Sequence, residues 1–121
     1  MFDEENDQHV VDRNIVCTEF APDVFAHLRA IDGYTISDLQ KSLNPEIEKN
    51  IERIFKAGEG MGKSGSFFFF SHDDNFLIKT MTLGDFKAFK TLFRAYFEHV
   101  NTYDKSLLAR IYGVYSVQMD D

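Results

Sequence analysis

The sequence predicts an α+β fold, an antiparallel β-sheet with N-terminal helices and one long helix on one side of it. Three observations carry this. Residues 10–17, VVDRNIVC, are rich in β-branched residues. Two β-prone runs, FFFFS and FLIKTM, flank the polar turn HDDN. From Phe86 to Val100 the apolar residues recur at the helical period. Alternation and β-branching mark strands, and a 3.6-residue period marks an amphipathic helix.

Each element follows in order. Residues 1–9 are polar and acidic and read as a disordered tail, with residues 10–121 forming the folded part. Residues 10–17 read as a strand. In APDVFAHLRAIDG, Ala21, Val24, Phe25, Leu28 and Ile31 make one helical stripe. Pro22 suits a first turn and Gly33 supplies the stop. Thr35 can cap a second short helix, with Asp38 three residues on and Tyr34 placed to staple onto Leu39. Asn44-Pro45 opens a third segment in which Ile47, Ile51, Ile54 and Phe55 keep a helical period. A helix is expected to about Asn50 and a strand after it. Glycines then fall at 58, 60, 62 and 65. The hairpin 66–81 follows, then the long helix. Its stripe is Phe86, Phe89, Phe93, Tyr96, Phe97 and Val100, and its polar face carries Lys87, Lys90, Arg94 and Glu98. A strand from Ile111 to Gln118 closes the chain.

Composition excludes several classes. Thirteen Lys and Arg against twenty Asp and Glu leave a net charge of −7, which argues against nucleic acid as a partner. The 121 residues suffice for one domain, and 44% hydrophobic content argues against wholesale disorder. The single cysteine, Cys17, has no disulfide partner in the chain and reads as a small buried hydrophobe. His9, His27, His72 and His99 stand at no metal-ligand spacing and read as solvated. The acidic start is no secretory signal, and no apolar run is long enough to span a membrane. The expected compartment is reducing and intracellular.

The glycine segment has two readings. AGEGMGKS, residues 57–64, fits a relaxed P-loop with Ala in place of the first Gly. A P-loop requires a helix beginning at its Lys, and the residues after Ser64 are Gly-Ser-Phe-Phe-Phe-Phe. In the other reading the glycines turn between antiparallel strands, the loop lies over ATP phosphates, and a Lys on the next strand pairs the α- and β-phosphates. The order glycine turn, strand, turn, FLIK, helix fits this second reading. Alternation places Leu77, Lys79 and Met81 on one face and Phe76, Ile78 and Thr80 on the other. Leu77 then lies beside Lys79 under an adenine base. Asp85 is the acid available in the first turns of the long helix to hold Lys79. A plain turn and a solvated edge lysine are the alternatives.

The strings APDVFAHLR, GKSGSFFFFSHDDNFLIKTM, and FRAYFEHVN with SLLARIYGVYSVQ resemble the phosphatidylinositol phosphate kinase family, and most nearly its phosphatidylinositol 4-phosphate 5-kinases. The resemblance spans about residues 17–119. It implies a kinase-like N-lobe over 10–121, an incomplete catalytic domain. It matches Gly62, Ser64, Gly65 and Ser66 to the phosphate-covering loop, Lys79 to the ATP lysine, and Asp85 to a position where many members carry Glu. Asp is shorter than that Glu by one methylene. ATP and Mg2+ are the implied cofactors, with the metal ligands, the catalytic Asp and the lipid-selecting loop in a lobe this chain lacks. That lobe would also meet the phosphoinositide substrate and the anionic membrane, at the cytosolic face. The chain alone is expected to be inactive, and to form a homo-oligomer through the N-lobe. The competing expectation is a non-catalytic interaction or dimerisation module that reuses a kinase N-lobe.

Overall fold

The fold is taken from a computed structural model that describes residues 2, 4–64 and 66–119. The elements run β1 (Asp7–Asp12), β2 (Ile15–Glu19), α1 (Pro22–Ile31), α2 (Ile36–Ser42), α3 (Glu48–Ser64), β3 (Phe68–Phe70), β4 (Leu77–Lys79), α4 (Leu83–Thr102) and β5 (Tyr115–Met119). Both sheets among the described residues are antiparallel, and four helices accompany them, so the α+β class holds. The strands divide into a three-stranded sheet, order β1-β2-β5, and a separate two-stranded hairpin, β3-β4. The chain separates into two units, 1–35 with 92–121, and 36–91.

In the first unit the expected single strand at 10–17 is a hairpin. β1 and β2 pair from Asp7↔Glu19 to Asp12↔Ile15, turning at Arg13-Asn14, with a bulge between Val10 and Asp12. Arg-Asn lacks the glycine that usually announces a two-residue hairpin turn, so this turn carries no local signature. The strand starts at Asp7, inside the stretch read as a disordered tail. That stretch is tied down further. Asn6 Oδ1 accepts the Ala21 N–H at 3.2 Å, and the Phe2 ring lies 5.0 Å from Phe93 and 5.4 Å from Phe97. Burying an aromatic ring outweighs the polarity of its neighbours. β5 pairs with β2 over Tyr115–Met119, shorter at its start than expected.

The core of this unit is the α1 stripe against the C-terminal part of α4. Phe20, Ala21, Val24, Phe25, Leu28, Phe93, Phe97 and Val100 are all buried. Phe25 and Phe93 stack with centroids 5.2 Å apart. Arg29 is buried and donates from Nη1 to the Tyr112 carbonyl at 2.7 Å. Asp32 accepts from Tyr112 Oη at 2.8 Å and Arg110 Nε at 3.2 Å. Burial and the bond to Asp32 push the Tyr112 phenol well above its usual pKa.

In the second unit α3 runs through residues expected to form a strand and a glycine turn. Helix extension adds one hydrogen bond per residue fixed, and each Gly costs about 1 kcal/mol relative to Ala, so a well-anchored helix continues through glycines. The anchors are polar. Arg53 Nη1 donates to the Ser71 carbonyl at 2.5 Å and to Asp74 Oδ1 at 2.7 Å. Ile51, Ile54 and Phe55, the apolar stripe, point to the exposed side.

Candidate functional site

The hairpin is set by its turn. Ser71 N–H donates to the Phe76 carbonyl at 2.9 Å, and Phe76 N–H donates to Ser71 Oγ at 3.1 Å. Asp74 takes a left-handed conformation, φ 60°, which Asp tolerates better than most residues. Asp73 accepts from Ser42 Oγ and Ser71 Oγ, each at 2.6 Å, and from the Asn75 N–H at 3.2 Å. Burial opposes ionisation of Asp73. The bonds from Ser42, Ser71 and Asn75, with His72 nearby, outweigh it and hold the carboxyl below its ordinary value. The two aspartates thus do different work: Asp73 ties the turn to α2, and Asp74 ties it to Arg53 of α3.

The ladder then fixes what the hairpin presents. Phe68 stands opposite Lys79, Phe69 opposite Ile78, and Phe70 opposite Leu77. Directly opposed residues share a face. One face therefore carries Phe68, Phe70, Leu77 and Lys79, and all four are exposed. Phe68 is 59% exposed and Leu77 is 51% exposed, which is open apolar surface beside a lysine. Met81 is exposed too, while Phe76 is buried and Ile78 partly so. The alternation read from FLIKTM holds, except that Thr80 is exposed. There Thr80 Oγ1 accepts the Phe67 N–H at 3.0 Å.

Asp85 sits at the start of α4. Its N–H donates to Thr82 Oγ1 at 3.0 Å, so Thr82 caps the helix and Asp85 is the acid of the first turn. A carboxylate there is favoured by the helix dipole. Asp85 and Lys79 are both exposed and form no ion pair within 4.0 Å. The structure brings Lys79, Leu77 and Asp85 into one hairpin–helix unit without joining the last to the first. Gly62 and Ser64 belong to the C-terminal turns of α3 instead of a turn between strands. Gly65 lies outside the described residues, and Ser66 is partly buried just before β3. A P-loop is excluded by the same geometry, because a helix ends at Ser64 where one would have to begin.

A second feature was not read from the sequence. Arg53, Lys56 and Ala57 of α3, Phe68–Phe70 of β3, and Asp74 line an open groove of about 500 Å³. Arg53 is already committed to the turn. No described helix is long and apolar enough to cross a membrane.

Comparison with known proteins bears on this arrangement. The family model described as Phosphatidylinositol-4-phosphate 5-Kinase matches residues 49–121, more than half of the chain. A probable phosphatidylinositol phosphate kinase of Dictyostelium discoideum is 37% identical over 100 residues, covering 83% of this chain and 14% of the relative. The phosphatidylinositol 4-phosphate 5-kinase its3 of Schizosaccharomyces pombe is 34% identical over 101 residues, covering 84% of this chain and 13% of its own length. Phosphatidylinositol 4-phosphate 5-kinase 8 of Arabidopsis thaliana is 31% identical over 101 residues, with 84% and 12% covered. The chain therefore spans about one seventh or less of these relatives. With the hairpin, its FLIK strand and the helix that follows all inside the matched region, the chain belongs to the phosphatidylinositol-4-phosphate 5-kinase family of lipid kinases.

Proposed function

We propose that this chain is the N-lobe part of a phosphatidylinositol phosphate kinase and that its hairpin face receives ATP. The observation that carries the reading is the exposed face on which Lys79 stands opposite Phe68 and next but one to Leu77. An ammonium flanked by flat apolar surface suits a nucleotide, whose base is planar and whose phosphates are anionic. Lys79 would pair the α- and β-phosphates, and Leu77 would pack against adenine. The backbone of Gly62, Ser64, Gly65 and Ser66 would cover the phosphates, which requires the last turn of α3 to unwind. Glycine makes that unwinding cheap, since it has little to lose on leaving the helix. Asp85 would turn toward Lys79 once the phosphates draw the ammonium inward.

The reaction proposed is transfer of the ATP γ-phosphoryl to an inositol hydroxyl of phosphatidylinositol 4-phosphate. Such catalysis consists mainly of positioning and charge neutralisation. Mg2+ would supply much of that neutralisation, and no residue of this chain is assigned to it. The lipid substrate, the anionic membrane at the cytosolic face and the catalytic Asp are assigned to the remainder of a longer protein. Self-association is proposed through this part of the molecule. The 121-residue chain alone is expected to turn over no lipid.

The test uses a longer kinase containing this segment. Lys79→Ala should lower phosphoryl transfer by about 100-fold or more, the scale of losing one charged group aimed at the reacting phosphates. Retention of full activity would refute the assignment.

A further inference from the structure

The antiparallel register of β1 and β2 assembles a group of potential ligands that no sequence spacing reveals. Asp7 lies opposite Glu19, and His9 lies opposite Cys17. Because Asp7 and His9 are two residues apart, all four share one face of the sheet. A ligand atom from each of Asp7, His9 and Glu19 falls within 4.8 Å of the other two. His9 Nε2 is 3.3 Å from Glu19 Oε1.

Two facts point from this cluster to a cation. The first is geometric. Around a tetrahedral Zn2+ with bonds of about 2.0–2.1 Å, neighbouring ligand atoms lie about 3.3–3.4 Å apart. His9 Nε2 and Glu19 Oε1 are hydrogen-bonded at that same 3.3 Å, so an ion could replace this bond without moving either group far. The second is electrostatic. Two carboxylates directly opposite on paired strands repel and destabilise the ladder. Among the described residues no lysine or arginine pairs with Asp7 or Glu19 within 4.0 Å. The Glu19 side chain is only 18% exposed, so water screens it poorly.

We propose that Asp7, His9 and Glu19 form a binding site for a late first-row divalent cation such as Zn2+. Imidazole nitrogen with two carboxylate oxygens is a borderline donor set, which favours such ions over Mg2+. Three protein ligands on an open sheet face leave a coordination position for water. The ion would bridge β1 and β2, holding the edge strand to its neighbour. This role is separate from the nucleotide reading, which concerns the other unit.

The experiment is calorimetric titration of the tag-free chain with ZnCl2. Wild type should take up one equivalent. His9→Gln and Asp7→Asn should each weaken binding by at least about tenfold. His72→Gln, a histidine of the other unit, should leave it unchanged. Millimolar Mg2+ should not displace the ion. Zn2+ should raise the melting temperature of wild type more than that of the His9 or Asp7 variants. Both substitutions are at exposed positions and keep the backbone hairpin, which circular dichroism would verify. Absence of one-equivalent uptake, wild-type affinity in either variant, or displacement by Mg2+ would overturn the proposal.

Discussion

Asn50 Oδ1 accepts the backbone N–H of His72 at 2.7 Å, joining α3 to the hairpin turn 22 residues away. The same side chain donates from Nδ2 to the Ser42 carbonyl at 3.0 Å and to the Asn44 carbonyl at 2.9 Å. Asn50 is 1% exposed, so these bonds have no water to replace them. Its amide thus fixes three segments at once: the end of α2, the loop to α3, and the turn that aims β3 and β4.

The first prediction follows. Asn50→Ala leaves one N–H and two carbonyls short of a buried partner, and each unsatisfied group costs about 1–3 kcal/mol. A loss near the upper part of that range is expected in urea unfolding. Asn50→Asp should cost more at neutral pH, because a buried carboxylate would face two carbonyl oxygens. A change under about 0.5 kcal/mol for Asn50→Ala would contradict the network.

Asp73 gives a pH prediction with a definite sign. Its carboxyl is held below the ordinary value, so the folded state favours the charged form. That contribution is fully present above the unfolded value of 3.8 and is lost as pH falls below it, toward the lower folded value. Acid unfolding followed by circular dichroism should therefore show wild-type stability falling below about pH 4. Asp73→Asn should be less stable at neutral pH and lose less on acidification. Parallel acid profiles would exclude this role.

The parts of the molecule that were legible in the sequence are those where one signal acted alone. The α1 stripe, the α4 stripe and the FLIK alternation each rest on periodicity, and Val24, Phe25, Phe93 and Val100 are buried as that periodicity requires. The β1–β2 hairpin was hidden because Arg13-Asn14 carries no turn glycine. α3 past Asn50 carries no clear helical signature because its anchoring residues are polar. Arg53 and Asn50 hold it, whereas the periodic apolar residues Ile51 and Phe55 face outward. The site's lysine face was readable, since strand alternation fixes it. The Asp7–His9–Glu19 cluster was not, since it exists only once β1 and β2 are in register. Cys17, expected to be buried, is only partly so.

Gly58 tests the helical state of the glycine segment. It lies within α3, and a Cβ there would meet nothing within 4 Å. Gly58→Ala should stabilise the chain by about 0.5–1 kcal/mol, from helix propensity and a less flexible unfolded state. Destabilisation of the chain by Gly58→Ala would show that residue 58 is not helical in solution.

The last prediction concerns self-association. In the sheet of order β1-β2-β5 both outer strands lack a further partner among the described residues. An unpaired edge offers backbone donors and acceptors to another chain. Val10, Val11 and Val117 are exposed on these strands, so a second copy adding to an edge would also cover apolar surface. The charge of −7 opposes this, but at about 0.15 M salt surface charges more than roughly 8 Å apart are largely screened. A homodimer is therefore expected in physiological salt, weakening as salt is lowered. Val10→Lys should shift it toward monomer, because a charge at an edge is costly to desolvate against another strand. Light scattering across a concentration series checks this. A monomer mass that persists at high concentration in physiological salt would rule out edge pairing.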